Sequence, residues 1–208
     1  MRNYLLVFFF LITTCHSSFS QRYKHFEGNI YYDIYLVNKH DHSSKKVNYL
    51  TIRIKDSLVR VDTDSKLFGG QTTIHNLTRH RSYILLKSKD TFYAIQHFDT
   101  AAVEKAILFK KVKGKTKLGD FKIKKVSRLI DTNKIDTIEY FTQLDPKYLA
   151  IYPGLKGLPA TYHVEVNKDF YFLYKAIKVE PKALDDKLFM IPKLFKIVTF
   201  DEFIKSQE

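Results

Sequence analysis

The chain has 208 residues, 45% of them apolar and 15% aromatic, the balance of one folded domain of ordinary size rather than of a disordered or collagen-like chain. A single cysteine excludes a disulfide scaffold and a four-thiolate zinc site, and an only long apolar run at the N-terminus excludes a polytopic membrane protein. The formal net charge of +13 directs non-specific attraction toward anionic surfaces.

The first segment reads as an address. Arg2 precedes the apolar run 4–12, and small polar residues follow, ending Ser18-Phe19-Ser20, which is the order of a secretory signal peptide. Small side chains at Ser18 and Ser20 place cleavage before Gln21, so residues 1–20 are the signal and 21–208 a single β-rich envelope domain. The apolar run is too short for a helix to cross a hydrocarbon core of about 30 Å. Leu11-Ile-Thr-Thr-Cys15 is also similar to a bacterial lipobox, so lipidation of Cys15 stands as the alternative to soluble export. With cleavage after Ser20 the mature chain holds no cysteine, which excludes thiol catalysis.

Beyond the signal, short segments alternate apolar and polar side chains and are enriched in β-branched and aromatic residues, the pattern of strands. Strands are expected over 26–37, 49–55, 58–63, 72–77, 82–87, 92–97 and 106–112, then over 121–127, 137–142, 148–151, 161–166 and 170–179. In 50–55 the period is two: Leu50, Ile52 and Ile54 share a dry face, and Thr51, Arg53 and Lys55 a wet one. Turn chemistry at 55–57, 69–70, 88–90, 113–115 and 167–169 separates them, and such short connections predict antiparallel hairpins. No βαβ alternation, repeat or linker is visible, which argues against a parallel nucleotide-binding sheet and against a second domain. Thr199-Phe-Asp-Glu202 reads as a capping box opening a short C-terminal helix over 200–205, and the alanines of 99–106 suit another helical segment. In Phe170-Tyr-Phe-Leu-Tyr174 both faces are apolar, so the strand is either central to the core or lines a ligand cavity. Phe170, Phe172 and Tyr174, with Tyr162 on the preceding strand, are the candidate lining residues.

Several stretches together resemble a family of exported bacterial envelope proteins of unknown function related to the GLPGLI family. Phe26-Glu-Gly-Asn-Ile-Tyr-Tyr32 is similar to its first strand, and Ile52-Arg-Ile-Lys-Asp-Ser-Leu-Val-Arg-Val-Asp62 to the following hairpin. The stretch 69–86 resembles the next pair, Tyr152-Pro-Gly-Leu-Lys-Gly-Leu-Pro159 the glycine and proline motif, and Asp185-Asp-Lys-Leu-Phe-Met-Ile-Pro192 the closing motif. These relatives are similar to lipoprotein carriers, and the resemblance implies a mainly β fold: a strongly curved antiparallel sheet forming an open half-barrel, with helical segments at its mouth. It also implies a hydrophobic groove suited to acyl chains and carries over no catalytic residue. Lys122-Ile123-Lys124 stands where relatives often have a cysteine, so a disulfide expected in some of them is absent here.

Charge is concentrated in one segment. Lys105, Lys110, Lys111, Lys113, Lys115, Lys117, Lys122, Lys124, Lys125 and Arg128 lie between Glu104 and Arg128, opposed only by Glu104 and Asp120. Such a stretch either docks on anionic headgroups or lipopolysaccharide phosphates, or is a solvated hairpin whose lysines discourage edge pairing. Export and the absence of any base-reading pattern disfavour nucleic acid. His40-Asp-His42 falls in a polar loop over 40–46 and His25, His75, His80, His97 and His163 are scattered, so neither a metal site nor a catalytic triad is expected, and no cofactor. Gly154-Leu-Lys-Gly157 lacks the setting of a phosphate loop. The sequence therefore points to a non-enzymatic exported protein of the periplasm or outer membrane that binds a lipid or other hydrophobic ligand in the concavity of its sheet. Lys110, Lys111, Lys113, Lys115, Lys117, Lys122, Lys124 and Lys125 would hold it to an anionic membrane surface. The alternatives are an envelope protein-binding module and a hydrolase with an unrecognised site.

Overall fold

A computed structural model describes residues 25–65, 69–98, 107–131 and 134–207. The expected signal segment and the helix expected over 99–106 lie outside them. The described residues form twelve strands, β1 (Gly28–Asn38), β2 (Ser44–Lys55), β3 (Leu58–Ser65), β4 (Gly69–Asn76), β5 (Arg81–Ser88), β6 (Thr91–Phe98), β7 (Lys110–Leu118), β8 (Phe121–Asp131), β9 (Lys134–Phe141), β10 (Leu158–Glu165), β11 (Phe170–Pro181) and β12 (Lys196–Thr199). One helix, α1 (Phe200–Lys205), and two 3₁₀ turns, Pro146–Leu149 and Asp186–Phe189, complete the fold. No helix among the described residues is long and apolar enough to cross a membrane.

All twelve strands join one open sheet in the order β12-β6-β5-β4-β3-β2-β1-β11-β10-β9-β8-β7. The expectation of a mainly β, antiparallel and unclosed sheet holds, with one parallel pair, β12 beside β6. Two-residue loops connect β2 to β3, β5 to β6 and β7 to β8. In each the first loop residue, Asp56, Lys89 or Gly119, takes a positive φ near 54–57°, as tight hairpins with right-handed strand twist require. The C-terminal half curls until β7 comes within 8 Å, Cα to Cα, of β11.

Burial follows the two-residue period. Leu50, Ile52 and Ile54 of β2 are 7%, 0% and 0% exposed and lie against Ile30, Tyr32 and Ile34 of β1. With Val59, Val126, Ile138, Phe141, Leu158 and Tyr162 they form the main core on the inner face of the sheet. The opposite face of β2 is drier than the alternation implies, because the chain returns across it: Lys55 donates to Leu184 O and Arg60 to Leu188 O. Beyond, Ile191 and Phe195 pack on Ile74, Leu85 and Ala94, forming a second small core on this return face. The chain then turns the sheet edge as β12 and folds α1 onto the other side of β6, where Phe203 meets Tyr93 edge to face at 5.2 Å.

Four expectations are corrected. Residues 148–151 are no strand: Pro146 enters at the first turn and the Asp145 carboxylate accepts from Lys147 N, which starts the 3₁₀ turn Pro146–Leu149. Gly69 and Gly70 are not the β3–β4 turn but paired residues of β4, opposite Ser65 and Asp64. Residues 44–46, read as loop, belong to β2, whose pairing with β1 runs to Ser44 opposite Val37. The strand expected over 106–112 starts at Lys110 and continues through 113–115, read as a turn. Gly114, at φ 132°, sits in a bulge between Val112 and Lys115, and the reversal comes at Gly119.

Candidate functional site: a basic hairpin and a tyrosine-filled concavity

The β7–β8 hairpin is the most charged surface. Register across it pairs Lys115 with Lys124 and Lys117 with Lys122. Directly opposed residues share a face of the sheet, so these four ammonium groups stand on one face at the corners of a rectangle of roughly 5 by 7 Å at the Cβ atoms. With Thr116, Ile123 and Thr142 they line a surface cleft of about 580 Å³. No ion pair is seen for the four among the described residues. The carboxylate nearest in register, Glu139, is held 2.7 Å from Lys125 Nζ on the neighbouring strand. Burial opposes ionisation of Glu139, but its hydrogen bonds with Lys125 and Thr161 win and hold its pKa below the usual range. The candidate lysines thus divide. Lys115, Lys117, Lys122 and Lys124 form the uncompensated group, Lys125 is spent on Glu139, and Lys110, Lys111 and Lys113 run along exposed β7, the outer strand of the sheet. Lys105 lies outside the described residues.

The aromatic candidates divide too. Tyr162 is 2% exposed and stacks on Tyr174, ring centroids 4.6 Å apart and planes within 5°. Tyr32 and Tyr152 close on its edges at 6.1 and 6.3 Å. Tyr32 donates to Pro159 O at 2.7 Å and Tyr152 to His163 O at 3.0 Å, so those hydroxyls are bonded to backbone. Burial raises the phenol pKa of Tyr162 well above normal and that of Tyr152 to about 12. Phe172 packs against the same core, whereas Phe170 sits at its rim, lining a shallow cleft of about 190 Å³ with Leu36, Asn38 and Lys45. The inner face between β1, β11 and β10 is therefore occupied by the protein's own rings. Of the four, Tyr162 alone is buried, and Phe170, Phe172 and Tyr174 are half-buried beside half-open Leu36.

One constellation escaped the sequence reading. Asp136 of β9 has a side chain with 0% exposure, and Arg128 Nε, directly across the strand pair, donates to its Oδ2 at 2.8 Å. His163 Nε2 lies 3.4 Å from Asp136 Oδ1, and the Arg128 guanidinium rests 4.6 Å from the centroid of the Tyr152 ring. The residues are scattered over 128–163, and only pairing of β8, β9 and β10 brings them together. The group brings a carboxylate, a guanidinium, an imidazole and a phenol together around the buried Asp136. His40, read as a loop histidine, bonds Asp169 at 3.0 Å, and Asp41 accepts from Ser43.

The fold defines a mainly β protein with a single open, curled sheet and a surface rather than a cleft as its most distinctive chemistry. No family model matches the chain, and no curated protein matches it. Among solved structures, PNGF-II is similar in fold. In its P21 crystal form the TM-score is 0.50 at 13% identity over 86% of this chain and 33% of that one. In its C2 form it is 0.47 at 15% identity over 86% and 32%. The chain thus spans about a third of the length of PNGF-II, and at this identity the likeness is one of fold alone.

Proposed function

We propose that this protein is a non-catalytic binding module of the cell envelope whose β7–β8 hairpin docks it on an anionic surface, phosphate-bearing lipid headgroups above all. The observation that carries the reading is the pairing of Lys115 with Lys124 and of Lys117 with Lys122, none of them in an ion pair among the described residues. Like charges placed directly opposite one another destabilise a sheet, so such a group is costly to the fold unless an anion meets it. At about 1 kcal/mol for each basic residue held near an anionic membrane, four lysines give only roughly millimolar attachment. Lys110, Lys111 and Lys113 on the same edge bring it to about 10 μM. Docking of this strength is reversible, which suits a peripheral module. The order of the N-terminal residues and the resemblance to exported envelope proteins support the compartment.

A lipid held in the concavity, the reading the sequence suggested first, would have to displace Tyr32, Tyr152, Tyr162 and Tyr174 from one another, so the hairpin is the better-supported contact. A protein-binding module is favoured by a different observation. At the far edge, β12 ends the sheet beside Ile197 and Phe200, 56% and 62% exposed.

Cosedimentation with vesicles tests the proposal. Binding is expected to phosphatidylcholine vesicles containing phosphatidylglycerol and not to phosphatidylcholine alone, falling steeply with added salt, and Lys117→Glu/Lys122→Glu should weaken it about tenfold or more. Equal binding to both vesicles, or indifference to the charge reversal, would remove the basis for it.

A further inference from the structure

We propose that the cleft between the β4–β5 turn and the returning segment 189–191 is a binding site for a small carboxylic acid with an apolar body. The cleft holds about 240 Å³, the volume of about eight waters or an acid of roughly ten non-hydrogen atoms. One side is apolar: Leu58 and Ile74 make the floor on the sheet, and Phe189 and Ile191 of the returning segment lie over them. The other side is polar and basic, presenting Arg79 and Arg81 with Asn76 and Tyr83. An apolar pocket with a few convergent polar groups is the form that small-molecule sites take, and a guanidinium matches a carboxylate by two parallel hydrogen bonds.

The register puts these groups on one face. Leu58 pairs with Asn76, Asn76 with Arg81, and Ile74 with Tyr83, so their side chains rise together from three adjacent strands. The roof is fastened to the same face from below, because Arg60 donates to Leu188 O at 2.9 Å and Phe189 is 7% exposed. Met190, 60% exposed, is the flexible apolar wall over the entrance. The β4–β5 turn that carries Arg79 is itself held, since Arg79 N donates to Asn76 Oδ1 and His80 takes a positive φ of 48°. No carboxylate pairs with Arg79 among the described residues, which leaves a cation at the mouth of an apolar cleft. That is the complement of an amphiphilic acid. The inference stands on the return face and shares no residue with the basic hairpin.

Titration of the isotopically labelled protein with octanoate, followed by amide shifts, tests it, with 1-octanol and inorganic phosphate as controls. Octanoate is expected to saturate with a millimolar or tighter Kd, shifting the amides of Ile74, Arg81 and Ile191. 1-Octanol and phosphate, each offering half of the ligand, should bind at least fivefold more weakly. Arg79→Gln, an exposed turn substitution whose spectrum should otherwise superimpose, should weaken octanoate at least fivefold and leave octanol unchanged. Lys117→Glu/Lys122→Glu should change neither. Equal affinity for octanoate and octanol, saturation by phosphate alone, an Arg79→Gln protein that binds as before, or shifts confined to residues 115–124 would each overturn the proposal.

Discussion

Arg128 and Asp136 show what a single residue pair contributes when it is removed from water. The carboxylate has no exposure, so deleting Arg128 leaves a buried charge with only His163, 3.4 Å away, beside it, whereas the guanidinium over the Tyr152 ring keeps some access to water. Arg128→Met is expected to lower unfolding free energy by about 3–5 kcal/mol in urea titration, and adding Asp136→Asn should recover part of the loss. A cost under about 1 kcal/mol would mean that water reaches Asp136. Glu180 is the opposite case, an open carboxylate held by hydrogen bonds from Lys178, Lys182 and Tyr31, which lower its pKa from 4.5 to about 2. Because the folded value is the lower one, its stabilising contribution is complete above pH 4.5 and lost as pH falls toward 2. The acid limb of a stability-against-pH curve should therefore be shallower in Glu180→Gln within that window. An unchanged limb would assign acid sensitivity to other carboxylates.

Individual elements were legible where their determinants are local. The capping box read from Thr199 and Glu202 is present in both directions, Glu202 N donating to Thr199 Oγ1 and Thr199 N to Glu202 Oε2, and α1 spans the residues expected. A helix of this length has little stability of its own and relies on that cap and on Phe203 against Tyr93. Thr199→Ala should cost about 1 kcal/mol locally, seen as about fivefold faster exchange of the Ser206 amide, which bonds back to Glu202 O, with β1 amides unaffected. Tyr148, Leu149 and Ile151 looked like a strand because β-branched and aromatic residues suit one, but Pro146 and the Asp145 side chain, a few residues upstream, decide for a 3₁₀ turn. The Gly114 bulge was equally hidden. Glycine signals a turn and a bulge alike, and only pairing with Lys124 and Lys125 distinguishes them.

At the scale of the whole molecule, the placement of charge sets stability against binding. The four hairpin lysines repel across the strand pair, so Lys117→Glu should stabilise the fold by about 0.5 kcal/mol in low salt, with the gain shrinking in high salt, while it weakens attachment to anionic vesicles. A substitution that lost both stability and attachment would instead indicate that Lys117 packs structurally. The main core, the return-face core and the small cluster under α1 are separate solutions to one problem. A long open sheet has two faces: the inner one is filled by curling the C-terminal strands and, at β6, by α1, and the outer by laying the closing segment over β2–β6.

Strand content, the dry face of β2, the turns at 56–57 and 89–90 and the helix cap were fixed by sequence alone, because a two-residue period, a turn residue and a cap each act over a few neighbours. Partner choice was not. That β11 inserts beside β1, that β12 joins β6 in parallel, that Tyr162 is enclosed by Tyr32, Tyr152 and Tyr174, and that Asp136 meets Arg128 and His163 depend on contacts between distant residues. The basic segment was visible as composition, but its arrangement as two opposed lysine pairs follows from a register that a single bulge sets, and register is a property of the assembled sheet.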